Sequence, residues 1–197
     1  MSFKLGLTGS IGMGKTTTAK VFAAHGCGIW DADAAVHRLY ERNGAAVAAI
    51  GAVFPQIIAN ATVDRQAMRQ LIASNPKALS QIEKIVHPLV AQDRKNFTKT
   101  ASQQILVYDI PLLFETKAND WLDAVICVYI DSTEQQRRVI ARGTMTITEL
   151  EFIRDKQMPI ADKLSLSDYK IITDTKDGVV QQVAAIIKKI KRRSEHA

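Results

Sequence analysis

Cysteine is scarce: Cys27 and Cys127 are the only two in 197 residues. They stand far apart, with no CxxC or Cys/His spacing. That argues against structural zinc and for two reduced, buried thiols in a cytoplasmic compartment. Long apolar runs are missing too; none approaches the roughly 18 residues of a membrane span. The N-terminus lacks a secretory signal pattern, since Lys4 and Gly9 interrupt it. Aromatics make up only 6% and do not interleave with the basic residues. The net charge is +6, but residues 188–197 carry five basic groups and one acid, leaving +2 for everything else. The basicity is a charged helix end, so neither nucleic acid nor a membrane is expected as partner. No Asn-Lys-x-Asp guanine motif occurs, which argues against a GTPase switch. There is no internal repeat and no low-complexity segment.

What is present describes an ordinary globular domain. Hydrophobic residues are 47% and charged residues 23%, and the length suits one domain with a real core. Five short runs read as strands, at 3–8, 27–31, 104–110, 124–130 and 169–173. Most are continuous and rich in Val and Ile, as strands covered on both faces are. Helical patterns alternate with them, so a three-layer α/β fold with a mainly parallel sheet is expected. Val179, Val180, Val183, Ile186, Ile187 and Ile190 form the apolar stripe of a closing helix. Two stretches break the alternation. Residues 34–103 hold helical patterns and no convincing strand; residues 143–166 are polar and punctuated by Gly143 and Pro159. They read as an insertion and a mobile lid.

The strongest motif follows the first strand. Gly9-Ser10-Ile11-Gly12-Met13-Gly14-Lys15-Thr16 matches G-x-x-x-x-G-K-[ST], with an apolar strand before it and a helical pattern from Thr17 after it. Glycines let the backbone wrap around oxygens with its N–H groups inward, and the helix N-terminus adds partial positive charge. Lys15 would reach the β- and γ-phosphates, and Thr16 would offer its hydroxyl to Mg²⁺.

The helix climbs about 18 Å and the second strand returns about 16 Å, bringing Asp31 and Asp33 back to the carboxyl edge where parallel sheets bind ligands. At period 2 both acids share a face if the extended chain continues. One would then take a substrate proton, with the other serving Mg²⁺ or the fold; alternatively Asp33 caps the helix that follows. Asp109 ends a third strand, as a Mg²⁺-orienting acid would. The apolar Ile110-Pro111-Leu112-Leu113-Phe114-Glu115 after it is either a substrate-facing loop or core. Arg138 and Arg142 share a helix face beside the lid, where a guanidinium could neutralise transferred charge, while Arg137 reads as solvated. Pro88 suits the first turn of a new helix, leaving His87 near an exposed N-terminus to meet a phosphate or to cap.

Together these segments resemble the dephospho-coenzyme A kinases. The resemblance rests on GLTGSIGMGKTT at 6–17, DAD at 31–33 with His37, VDR at 63–65, IVHPLV at 85–90, DIPLLFE at 109–115, and FIRDKQMP at 152–159 with Lys163. It covers nearly the whole chain in the family's order. It implies a P-loop kinase fold with a five-stranded parallel core (1–33, 104–142, 167–197), a helical CoA-binding insertion (34–103) and a lid (143–166). It implies phosphorylation of the ribose 3′-hydroxyl of dephospho-CoA by ATP with Mg²⁺, the last step of CoA synthesis. Asp33 becomes the expected base, Lys15 the phosphate lysine and Arg142 the lid cation. Gly9 to Thr17 would hold ATP. Thr8, Asp33, His87, Asp109 and Leu113 would lie by the acceptor, and Thr16 and Asp109 by the metal. The chain departs from the family pattern in three places. Ser10 and Met13 replace a commoner Gly and Ser, Gly143 follows the lid arginine, and Thr173-Asp174-Thr175 stands for Asn-x-Gly near the adenine. The rival reading is another small-molecule P-loop kinase, such as one for nucleoside monophosphates. A monomer or weak homo-oligomer is expected.

Overall fold

The computed structural model describes residues 2–143 and 145–194. They form two compact units, one of Met1–Trp30 with Ala101–Ala197 and one of Asp31–Thr100. The strands in chain order are β1 (Phe3–Thr8), β2 (Gly28–Asp31), β3 (Ile58–Ala59), β4 (Thr62–Val63), β5 (Ile105–Asp109), β6 (Ala124–Tyr129) and β7 (Tyr169–Ile172). The helices are α1 (Lys15–Ala24), α2 (Ala32–Tyr40), α3 (Ala45–Val53), α4 (Arg65–Ser74), α5 (Pro76–Thr100), α6 (Ser132–Ala141), α7 (Ile147–Lys156), α8 (Ile160–Ser165) and α9 (Lys176–Ser194). No described helix is long and apolar enough to cross a membrane.

The first unit is built on a five-stranded parallel sheet in the order β2-β5-β1-β6-β7. The five strands match the five expected runs to within a residue at either end. All five positions of β5 are buried, and so are the first five of β6. That is the pattern of strands covered on both faces, and it explains their unbroken apolar character. Leu5, Leu7, Phe22, Val107, Ile126 and Val183 centre the core. Among the described residues of α9, Val179, Val183, Ile186, Ile187 and Ile190 are buried, whereas Val180 is 40% exposed. The stripe expected from the sequence is therefore narrower by one residue, because Val180 sits about 100° round the helix from Val179. Residues 143–166 contribute α7 and α8. Thr146 and Glu149 form a reciprocal capping box at the start of α7.

The second unit is helical, with a core of Leu39, Ala46, Ile50, Ile57, Ile82 and Val86. Two expectations are corrected here. The segment does contain strands: β3 and β4 pair antiparallel, Ile58 with Val63 and Ala59 with Thr62. Their two-residue turn, Asn60 and Ala61, takes positive φ at both positions, as tight hairpins do. Two residues per strand are too few to show any alternation. The second correction concerns Pro88. It starts no new helix but lies inside the 25-residue α5. A proline there removes one backbone hydrogen bond. The buried stripe of Ala78, Ile82 and Val86, continued by the partly buried Leu89 and Val90, carries the helix through.

Candidate active site

The phosphate loop follows β1 directly and ends where α1 begins. Gly14 is the N-cap of α1 at φ 85°, ψ 14°, a left-handed conformation that glycine adopts without strain. The loop's carbonyls are held by side chains. The Gln135 Nε2–H donates to the Ile11 carbonyl at 2.7 Å. The Thr173 hydroxyl donates to the Met13 carbonyl at 3.0 Å, and Thr18 to that of Gly14 at 3.1 Å. The Met13 side chain is buried in the core, whereas Thr16 and Thr17 are exposed at the first turn. The Lys15 ammonium pairs with the Asp109 carboxylate. Asp109 is 1% exposed and faces Leu7 across the β1–β5 ladder. The cation of the loop and the acid at the end of β5 are thus brought into contact.

Beyond Asp109 the chain turns rather than continuing as a strand. Leu113 is fully buried while Leu112 is 42% exposed. The expected acceptor contact Leu113 is therefore a core residue, and Leu112 is the apolar side chain this turn presents. Thr8 is also buried, and its hydroxyl donates to the Pro111 carbonyl at 3.0 Å. Both support the turn from behind. Lys163, with 0% exposure, reaches the same segment. Its ammonium lies 2.7 Å from Glu115 Oε1 and 3.4 Å from the Pro111 carbonyl. Glu115 Oε1 also accepts the Met158 N–H at 3.0 Å. Burial alone would push the Glu115 carboxyl up; the hydrogen bonds from Lys163 and from main-chain N–H groups outweigh it and hold the group below the usual carboxylate range. The ion pair so joins the turn after β5 to the junction of α7 and α8. Beside it opens a cavity of about 590 Å³, lined among others by Ser10, Met13, Gln135, Arg154, Gln157 and Met158.

Asp31 ends β2 and caps α2, its Oδ1 accepting the Ala34 N–H at 2.9 Å. The capping role that was open for Asp33 therefore belongs to Asp31. Because α2 begins at Ala32, the two acids do not follow strand parity. Asp33 is exposed in the first turn of α2. His87 is exposed in the middle of α5, not at a helix start. Asp33 and His87 lie in the helical unit; the loop, Asp109 and Arg142 lie in the sheet unit. Arg142 is the exposed C-cap of α6. Arg138, on the same helix, turns inward instead, donating to Glu134 and to the Thr173 carbonyl, both at 2.7 Å. Arg137 pairs with Glu134 on the surface.

The sequence reading passed over Gln135. One signal was there: Gln135 stands four residues before Val139 on an amphipathic helix, so it falls on the buried face. A buried amide needs a partner. Both thiols are free, and burial pushes each up to about 11, which leaves them unreactive. Among the described residues no three His, Cys, Asp or Glu side chains converge as a metal cage. A Mg²⁺ held mainly by substrate phosphates needs only one or two protein oxygens, which the Thr16 hydroxyl and the Asp109 carboxylate fit in chemistry.

Comparison with known proteins bears directly on this site. The profile of a family described as dephospho-CoA kinase matches residues 3–177. The chain is 54% identical to the dephospho-CoA kinase of Ruegeria pomeroyi, over 100% of both chains. It is 49% identical to that of a Jannaschia species, over 96% of this chain and 98% of the other. Among solved structures, the dephospho-CoA kinase of Campylobacter jejuni superposes with a TM-score of 0.71 at 22% identity, covering 98% of this chain and 100% of that one. At that identity the likeness speaks for the fold.

Proposed function

The chain belongs to the dephospho-CoA kinase family, and from that premise we propose how its residues move the γ-phosphoryl of ATP to the ribose 3′-hydroxyl of dephospho-CoA. The observation that carries the reading is the phosphate loop with Lys15 set against Asp109. Backbone N–H groups of residues 9–17 and the N-terminus of α1 hold the β- and γ-phosphates. Lys15 leaves Asp109 for the phosphates as they arrive, since a phosphate carries more charge than one carboxylate. Arg142 brings a second cation from the end of α6. The Thr16 hydroxyl and the Asp109 carboxylate would hold Mg²⁺, which would supply charge neutralisation at the phosphates.

Asp33 takes the proton of the 3′-hydroxyl. Its exposure leaves the carboxylate open to a substrate, and Asp31 has already satisfied the helix start. His87 presents an exposed imidazole for the acceptor's phosphates. Thr8 and Leu113 act from behind the acceptor surface, holding the Pro111 turn that exposes Leu112. The unit of Asp31–Thr100 is the proposed CoA-binding insertion, and residues 143–166, with α7 and α8, the lid. We place the protein in the cytoplasm, consistent with its two free thiols, as a monomer or weak homo-oligomer. An ADP-release assay with dephospho-CoA, AMP, CMP and shikimate tests the reading. Dephospho-CoA should stimulate release far above the others; no stimulation over the acceptor-free rate would refute it.

A further inference from the structure

The buried polar side chains of the described residues are Thr8, Ser10, Thr18, Asp109, Gln135, Lys163 and Thr173. Several of them serve the carbonyls of one loop. Gln135, 1% exposed, holds that of Ile11, and Thr173, 6% exposed, holds that of Met13. In a trans peptide the carbonyl and the following N–H point in opposite directions. Fixing the Ile11 carbonyl on Gln135 therefore turns the Gly12 N–H away from α6. Fixing the Met13 carbonyl on Thr173 likewise turns the Gly14 N–H away from the end of β7. From this we infer that Gln135 and Thr173 are positioning residues, setting the phosphate loop with its N–H groups ready for an anion before nucleotide arrives.

Packing adds to the constraint. Gly12 has φ 76°, and a Cβ there would come within 2.4 Å of Val139 Cγ2. A Cβ on Gly14 would lie 3.1 Å from Thr173 Cβ. The loop is thus pressed onto the two elements that donate to it. Thr173 is braced in turn: Arg138 donates to its hydroxyl at 3.2 Å and to its carbonyl at 2.7 Å, while Glu134 holds Arg138 from the other side at 2.7 Å. Thr173 occupies the place where the family pattern has Asn, so this chain uses a hydroxyl there to tie its loop. A preorganised donor set avoids reorganisation on binding. Losing either tie should weaken ATP while leaving the acceptor alone.

The inference rests on the reading of this loop as the ATP phosphate site, and the experiment separates the two. Calorimetry would measure ATP and dephospho-CoA affinity for wild type, Gln135→Met, Thr173→Val and Thr173→Ser, with ligand-free melts alongside. Each of the first two substitutions keeps the shape and deletes the donor, so ATP should bind about tenfold more weakly. Dephospho-CoA affinity should stay within about twofold, and Thr173→Ser should keep the affinity for ATP. If Gln135→Met does not fold, Gln135→Asn stays polar and falls one methylene short, with the same expectation. Unchanged ATP affinity in the folded variants would overturn the positioning role. So would an equal loss for both ligands, or a Thr173→Ser variant as weak as Thr173→Val. A wild type that binds no ATP would overturn the site reading itself and this inference with it.

Discussion

In the sheet unit, several polar side chains are buried and tied to backbone or charge; in the helical unit the candidate polar groups are exposed. Every buried polar side chain of the described residues lies in Met1–Trp30 or Ala101–Ala197. The buried side chains of the helical unit, Asp31–Thr100, are apolar apart from the phenol of Tyr40. Its candidate groups, Asp33, His37 and His87, stand in solvent. Anion recognition needs backbone N–H groups held in place, and the carbonyls turned away from them need internal donors. A proton acceptor on a helix surface needs only an apolar stripe to hold its helix. Function and stability should therefore be separable in the helical unit and entangled in the sheet unit.

The largest expected effect tests the first half of that contrast. Asp33→Asn should lower turnover by about 10²–10⁴ with the melting temperature unchanged, because Asp31 holds the cap. Steady-state assays at saturating substrates decide it; turnover within about threefold of wild type would take Asp33 out of the mechanism. Lys163→Met tests the second half. It strands the partly buried Glu115 carboxylate without its cation, so unfolding by urea should show a loss of about 1–3 kcal/mol. Glu115→Leu added to it should restore much of that loss, and no restoration would mean that the charge is not the cause.

Pro88→Ala, by contrast, should stabilise the helical unit by about 1–3 kcal/mol. It restores a backbone donor inside a helix that already continues through the site. A lower midpoint in urea would show that the proline is needed. The pH response should be smaller. The Glu115 carboxyl sits below its ordinary range in the folded chain. It therefore favours folding at neutral pH, and that contribution is lost as acid protonates it, from about pH 4 downward. Glu115→Gln should flatten the wild-type fall in stability over that window; parallel curves would contradict it. Least of all is expected from removing residues 192–197. Among the described residues the last buried position of α9 is Ile190, and the turnover of the truncated protein should match that of the full chain.

The two units also differed in how far they could be read beforehand. The sheet strands announced themselves as continuous apolar runs, and the loop as a motif with a strand before it and a helix after it. The helical unit misled at Pro88, since a proline is a local signal for a helix start and only the packing of Ile82 and Val86 overrules it. Asp31 and Asp33 were indistinguishable along the chain. Which one caps depends on the residue at which β2 stops, and element ends are the weakest local signal. Whether the segment after Asp109 faces a substrate or fills the core was open along the chain; the turn there buries Leu113 and exposes Leu112.

Composition, periodicity and one glycine-rich motif were enough for the α/β architecture, the phosphate loop and the family resemblance, since each depends on residues close together in the chain. The bracing of that loop was beyond them. Gln135 meets Ile11 across 124 residues and Thr173 meets Met13 across 160. Lys163 finds Glu115 only because α8 closes over the turn that follows β5. No spacing rule links such pairs. A buried donor is matched to its acceptor by the folded geometry, where leaving either one unpaired would cost more than the hydrogen bond returns.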